Sequence, residues 1–276
     1  MNPDRRALLA GAAALAASGA VRARTTDDLV LTGRFVQGGH VIGRTWPRAL
    51  IFVDGEALTA ASADGVFVIG FDRDAGPSAE IEARANGRSA IRALQIAPGD
   101  FPMTRVDGLP PATVEPSDPA LLARIAREVE IKTEGFASRL DADGFSDGFD
   151  WPLTGFRVSS LWGAQRVLNG TPARPHYGID LAAPLGTEIR APAAGRVTLA
   201  EPDMHFEGGL VLIDHGQGLI TAYLHQSQLD VRAGQDVRRG DSVGRVGMKG
   251  RATGPHLCWR MKWRNRNMDP SLMVRT

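Results

Sequence analysis

Apolar residues between Leu29 and Ile96 come in short runs broken by turn residues. The runs 29–36, 49–53, 66–71, 79–85 and 90–96 are separated by Asp54-Gly55, Asp64-Gly65 and Asn86-Gly87. Short strands at this spacing predict a small β-sandwich of immunoglobulin-like type over residues 24–97. Phe35 and Trp46 are expected in its core, and His40, in a Gly-Gly-His loop, at its surface. Residues 97–117 then carry Pro98, Pro102, Pro110, Pro111 and Pro116, the composition of an extended linker. A helix should follow. Asp118 is a good N-cap and Pro119 a good first residue, and Leu121, Leu122, Ile125 and Val129 recur at helical spacing. It should run to about Gly135 and pack by that apolar stripe, with Arg124, Arg127, Glu128 and Lys132 on the opposite face. The linker and helix together span 98–150.

From Trp151 the pattern turns wholly to β. A first strand is expected over 156–161, then a strand, turn and strand through Glu188-Ile-Arg-Ala-Pro and Gly195-Arg-Val-Thr-Leu. Leu210 to Asp214 and Leu219 to His225, joined by a turn rich in Gly and Asp, read as a hairpin on which Thr221, Tyr223 and His225 share a face. The clearest alternation is His256-Leu-Cys-Trp-Arg-Met-Lys-Trp263. In a strand it places Leu257, Trp259, Met261 and Trp263 on one face and His256, Cys258, Arg260 and Lys262 on the other. Between these strands, the glycines of 234–247 suit tight corners of a small curved β-structure. The expected division is therefore 1–23, 24–97, 98–150 and 151–276.

Composition narrows the class. With 276 residues, 43% of them apolar, the chain can build two small domains. A net charge of +1 and no basic stripe give no case for nucleic acid. Residues 1–23 read as an export signal: Arg5-Arg6, an Ala- and Leu-rich run from Ala7 to Ala20, and a small-residue cleavage site at Val21-Arg22-Ala23. The adjacent arginines resemble a twin-arginine signal. The run is too short for a stable bilayer span, so the expectation is an exported, periplasmic or cell-envelope protein. The single cysteine, Cys258, excludes an internal disulfide. A free thiol is a liability in an oxidising compartment, and metal ligation would protect it. The segment 141–150 resembles a calcium loop, but Gly144 comes too early for that pattern, so a solvated acidic loop is expected.

Metal-ligating side chains collect in one region only. His176-Tyr-Gly-Ile-Asp180 contains Gly178 and is flanked by Pro175 and Pro184, which argues against a helix. His176 should sit in a loop entering a strand and Asp180 on that strand. With Cys258 they would make a three-ligand set suited to zinc, which leaves one position open in catalytic sites. Residues 163–166 and the loop to Pro175 should border it.

The H-x-x-x-D of 176–180, Tyr-Leu-His of 223–225, the valine–glycine run of 231–247 and Thr-Gly-Pro-His-Leu of 253–257 together resemble the lysostaphin/LytM-type zinc metallopeptidases over residues 151–273. The resemblance implies a compact antiparallel β-sandwich or barrel-like core of the duplicated hybrid motif type, with an open groove. It implies a murein endopeptidase that cuts peptide cross-links of bacterial peptidoglycan. It implies one Zn2+ held by His176, Asp180 and Cys258, the last standing where the family usually has His. His225 and His256 match the catalytic pair, one a general base and the other a donor to the oxyanion. Tyr223 is a further expected transition-state contact. Arg260 and Lys262 are candidates to hold acidic groups of the wall peptide. The alternative is a catalytically impaired domain of the same fold that binds wall or regulates another hydrolase. His205 and His215 receive no catalytic part.

Overall fold

The computed structural model describes residues 22–23, 28–109 and 116–275. The expected export signal lies almost wholly outside them. Among the described residues strands dominate, with one long helix.

The first unit contains β1 (Val30–Arg34), β2 (His40–Arg44), β3 (Leu50–Val53), β4 (Glu56–Ala60), β5 (Val66–Gly70), β6 (Ser78–Ala85) and β7 (Arg88–Gln95). Strands β1, β2 and β5 form one sheet. A second has the order Arg22–Ala23, β7, β6, β3, β4. His40 departs from expectation. It opens β2, paired with Arg34 and Gly70, and is buried. The two preceding glycines make the turn, so the histidine falls inside the ladder. Burial then holds its pKa down at about 4.

The linker is not a free tether. Met103–Val106 forms a strand, β8, running parallel to one in the second unit. Helix α1 spans Pro119–Phe136, and the Asp118 carboxylate accepts from the Leu121 N–H at 2.9 Å. Its packing face differs from the expected one. Leu122 and Val129 are exposed, whereas Glu128 and Gly135 are buried. The polar stripe makes the contact because the surface below presents unpaired backbone groups. Glu128 accepts the His205 N–H, and Arg124 donates to the Asp203 carbonyl. Segment 141–150 is only partly a solvated loop: Asp141 and Asp147 are exposed, while Phe145 and Phe149 are core residues.

The second unit is built on one antiparallel sheet: β9 (Arg157–Ser160), β11 (Ile179–Ala182), β15 (His256–Trp263), β14 (Leu219–Gln226), β13 (Gly208–Asp214) and β12 (Gly195–Met204), in that spatial order. Strand β10 (Gln165–Leu168) lies beside it and pairs with β8. The alternation of β15 is as expected: Leu257, Trp259, Met261 and Trp263 are buried in the main core. That core is continuous with the first unit, joining Phe67 and Ile69 to Trp263 and Met268. A buried Gln217 clasps the junction, donating to the Val66 carbonyl at 2.9 Å and accepting the Val68 N–H at 3.3 Å. The other sheet face carries Leu199, Leu212, Ile220, Leu224 and Cys258, with Phe136 of α1 packed against them. The cavity described next opens at one end of that face.

Candidate metal centre

Strands β11 and β15 are register partners, and Asp180 pairs with Cys258. Their side chains therefore leave the sheet together on one face. His176 enters from the preceding loop, anchored by its N–H to the Ala164 carbonyl and its carbonyl to the Gly163 N–H. Its Nε2 lies 3.1 Å from Asp180 Oδ1 and 3.3 Å from Cys258 Sγ. One ligand atom from each of the three residues lies within 4.8 Å of the other two. All three residues are buried. Gly178 makes room for this: a Cβ there would stand 2.6 Å from Cys258 Sγ.

The donor set fits a metal ion. Asp180 Oδ1 is buried and receives no hydrogen bond, a costly condition unless a cation takes the lone pairs. Burial alone would raise the Asp180 carboxyl. Close contact with His176, then the neighbouring His256 and the Arg166 guanidinium, outweighs it, and the group is held well below the usual carboxylate range. Burial holds His176 down at about 4, so its imidazole is neutral and its Nε2 can donate electrons. The Cys258 thiol is pushed up to about 12 by burial, against the pull of Arg260, whose Nε lies 3.4 Å from Sγ. A bound metal would displace that proton, as metals do when they bind thiols. Arg166 donates to the other Asp180 oxygen at 2.9 Å and orients the carboxylate. Residue 166 was in the segment expected to border the metal.

His225 and His256 face each other beside this set, ring centroids 4.7 Å apart. His225 Nδ1 is 2.8 Å from the Lys249 carbonyl, and His256 Nδ1 is 2.8 Å from the Gly254 carbonyl. A carbonyl only accepts, so both Nδ1 atoms carry hydrogen and both Nε2 atoms are left as acceptors. His225 has φ +67°, a left-handed conformation that costs a non-glycine residue roughly 1–2 kcal/mol. Its N–H bond to the Glu207 carbonyl, 2.7 Å, helps hold it there. Burial, then the neighbouring His256, lower its pKa to about 3.

That backbone twist explains why Tyr223 does not meet expectation. Simple alternation puts Tyr223 and His225 on one face. The left-handed residue breaks the alternation, and Tyr223 is fully buried in the main core. Its hydroxyl is 2.8 Å from Thr221 Oγ1, which is 2.7 Å from His215 Nε2. It does not border the cavity. Lys262 is also elsewhere, its ammonium 4.9 Å from the Phe136 ring centroid. Arg260 does border the cavity but is engaged with Cys258.

The cavity, about 640 Å³, has His176, Asp180, Cys258, His225 and His256 in its walls. Thr104, Arg105, Val106 and Leu109 of the linker also line it, a contribution that a proline-rich composition does not announce. Among the described residues of the first unit, none does.

Residues 174–270 match the family model for Peptidase family M23. Over 115 residues the chain is 38% identical to the peptidoglycan DD-endopeptidase ShyA of Vibrio cholerae, covering 41% of this chain and 26% of ShyA. Over 132 residues it is 33% identical to the cell division protein DipM of Caulobacter vibrioides, covering 46% of this chain and 21% of DipM. The chain thus spans about a quarter of the length of these curated relatives. The crystal structure of a protein assigned to peptidase M23 from Pseudomonas aeruginosa superposes with a TM-score of 0.68 at 29% identity, covering 87% of this chain and 95% of that one. The motif order, the converging His–Asp–Cys set and these likenesses agree: the C-terminal region of this chain is a peptidase family M23 domain.

Proposed function

We propose that this chain is an exported zinc endopeptidase that hydrolyses peptide cross-links of bacterial peptidoglycan. The observation that carries the reading is the paired histidines beside the ligand set, each with Nδ1 tied to a carbonyl and Nε2 left to move a proton. His176 Nε2, Asp180 Oδ1 and Cys258 Sγ would hold the ion. Bound there, zinc supplies Lewis acidity towards a peptide carbonyl and towards water.

The rest falls to the protein. One Nε2 of the His225/His256 pair accepts the proton of the attacking water. That histidine then returns the proton to the leaving amine, while the other, protonated from solvent, donates to the developing oxyanion. Arg166 keeps Asp180 aimed, and Arg260 offsets negative charge on the cysteine sulfur. The ShyA relative is described as a peptidoglycan DD-endopeptidase, which supports the substrate class. Residues 1–23 serve as the export signal in this reading. Residues 24–97 form an immunoglobulin-like positioning module, 98–150 the connector and 151–276 the peptidase domain. Among the described residues no helix is long and apolar enough to cross a membrane.

The cysteine ligand specifically favours a second reading, an impaired domain that binds wall or regulates another hydrolase. Release of soluble muropeptides from purified cross-linked peptidoglycan separates the two. Zinc-loaded protein should release them, and a His225→Ala variant should not. Wall binding without release by the parent protein would overturn hydrolysis in favour of the second reading.

A further inference from the structure

The linker contributes a wall to the site. Arg166 and Leu168 share a face of β10, and their register partners on β8 are Thr104 and Val106. All four border the cavity, so one continuous sheet face lines it, half of it built by linker residues. Arg105 points to the alternate face of β8 yet also borders the cavity. Only the strand's edge can present both. Among the described residues the edge is unpaired: β8 ends its three-stranded sheet, and β10 takes the even-numbered side. The Gln165 N–H bonds to the Pro102 carbonyl and the Asn169 N–H to the Val106 carbonyl, so the backbone groups of Met103 and Arg105 point the other way. The wall is pinned beyond the strand by Asn169, whose side chain donates to the Leu109 carbonyl at 2.8 Å and accepts the Leu109 N–H at 3.1 Å.

Charge identifies what such a wall would meet. Among the described residues two acidic side chains border the cavity, and both are engaged: Asp180 with Arg166, and Glu207 with Lys132. Among the cavity arginines, Arg260 is committed to Cys258. Arg105 and Arg157 are exposed and make no ion pair among the described residues. An extended peptide carrying free carboxylates suits both features: an open strand edge for its backbone and guanidinium groups for its acids.

We propose that β8 is a substrate-binding wall, and that Arg105, with Arg157 of β9, recognises a free carboxylate on the cross-linked peptide. This rests on the wall-peptide reading above and adds to it a specificity for acid over amide. Neither arginine is a catalytic residue in this scheme.

The test uses the full chain, zinc-loaded, and two probes: a cross-linked muropeptide dimer with free carboxylates, and the same dimer amidated. Equilibrium binding is measured on a His225→Ala background, and hydrolysis on the parent. Arg105→Gln and Arg157→Gln should each weaken binding of the acidic dimer about tenfold, the scale of one charge-assisted hydrogen bond. They should leave the amidated dimer unaffected. In hydrolysis they should raise KM with kcat unchanged, as loss of uniform binding does. Hydrolysis that ignores both arginines would overturn this inference and leave the proposed function standing. Arginine-dependent binding without hydrolysis would do the reverse. Equal binding of acid and amide by the parent, or no binding of either, also overturns it. Circular dichroism of each variant verifies that the fold is intact.

Discussion

In the proposed zinc site, Cys258 would set the electrostatics. With His176, Asp180 and a thiolate, a dipositive ion would carry no net charge, whereas a histidine at 258 would leave it at +1. A more electron-rich ion is a weaker Lewis acid and acidifies water less. Cys258→His should therefore keep zinc binding, raise turnover, and move the rising limb of the pH–rate profile to lower pH. Competition against a chelator and a pH–rate series on muropeptides would check this. An unchanged profile in a zinc-replete variant would contradict it.

The helix and its neighbours show how an element can be recognised while its contact surface is misjudged. The stripe Leu121, Leu122, Ile125 and Val129 formed the helix as expected, but Leu122 and Val129 remain in solvent. Docking falls to Glu128, Arg124 and Gly135, over which a larger side chain would meet Leu212 and Leu199. Leu122→Ser should accordingly change unfolding free energy by less than about 0.5 kcal/mol, as surface substitutions do. Glu128→Ala strands the His205 N–H and breaks the pair with Arg124, which keeps its bonds to Asp203, and should cost about 1–3 kcal/mol. Urea denaturation of both variants reads the contrast, and equal losses would refute it.

For the molecule as a whole, the continuous core predicts that both units unfold together. Gln217→Ala removes both bonds of the buried clasp and should lower stability by about 1–3 kcal/mol. Two separated transitions in the parent chain, by fluorescence and far-UV circular dichroism, would show the units to be independent instead. Acid sensitivity has a defined sign. His215 is fully buried between the Ala194 carbonyl and Thr221, and burial lowers its pKa from 6.5 to about 4. Between those values the unfolded chain binds a proton that the folded chain refuses. Its stabilisation is thus complete above about pH 6.5, is lost as pH falls towards 4, and is constant below. The loss is about 3 kcal/mol. His40 acts in the same direction. Denaturation of parent and His215→Gln between pH 7.5 and 4.5 should show the variant to be less pH-dependent. Parallel curves would remove His215 from the account.

Local periodicity determined a good deal of this protein. The alternation from His256 to Trp263 separated the face buried in the main core from the face that carries His256, Cys258 and Arg260 to the cavity, because a strand's side-chain period of two survives whatever packs against it. The glycine and prolines around His176 and Asp180 argued against a helix and placed the first in a loop and the second on a strand, as the structure has them. Asp118-Pro119 marked the start of α1 through local capping chemistry alone. What pattern could not reach depended on partners far away in the chain. The left-handed backbone at His225 is held by Glu207 and Lys249, so the separation of His225 from Tyr223 is a tertiary outcome. The polar docking of α1 depends on unpaired backbone groups at 203–205, and the burial of His40 on its two ladder partners. The linker became a wall of the cavity only because β10 offered it an open edge. Sequence period specifies which way a side chain points within its own element; the tertiary structure decides what is there to meet it.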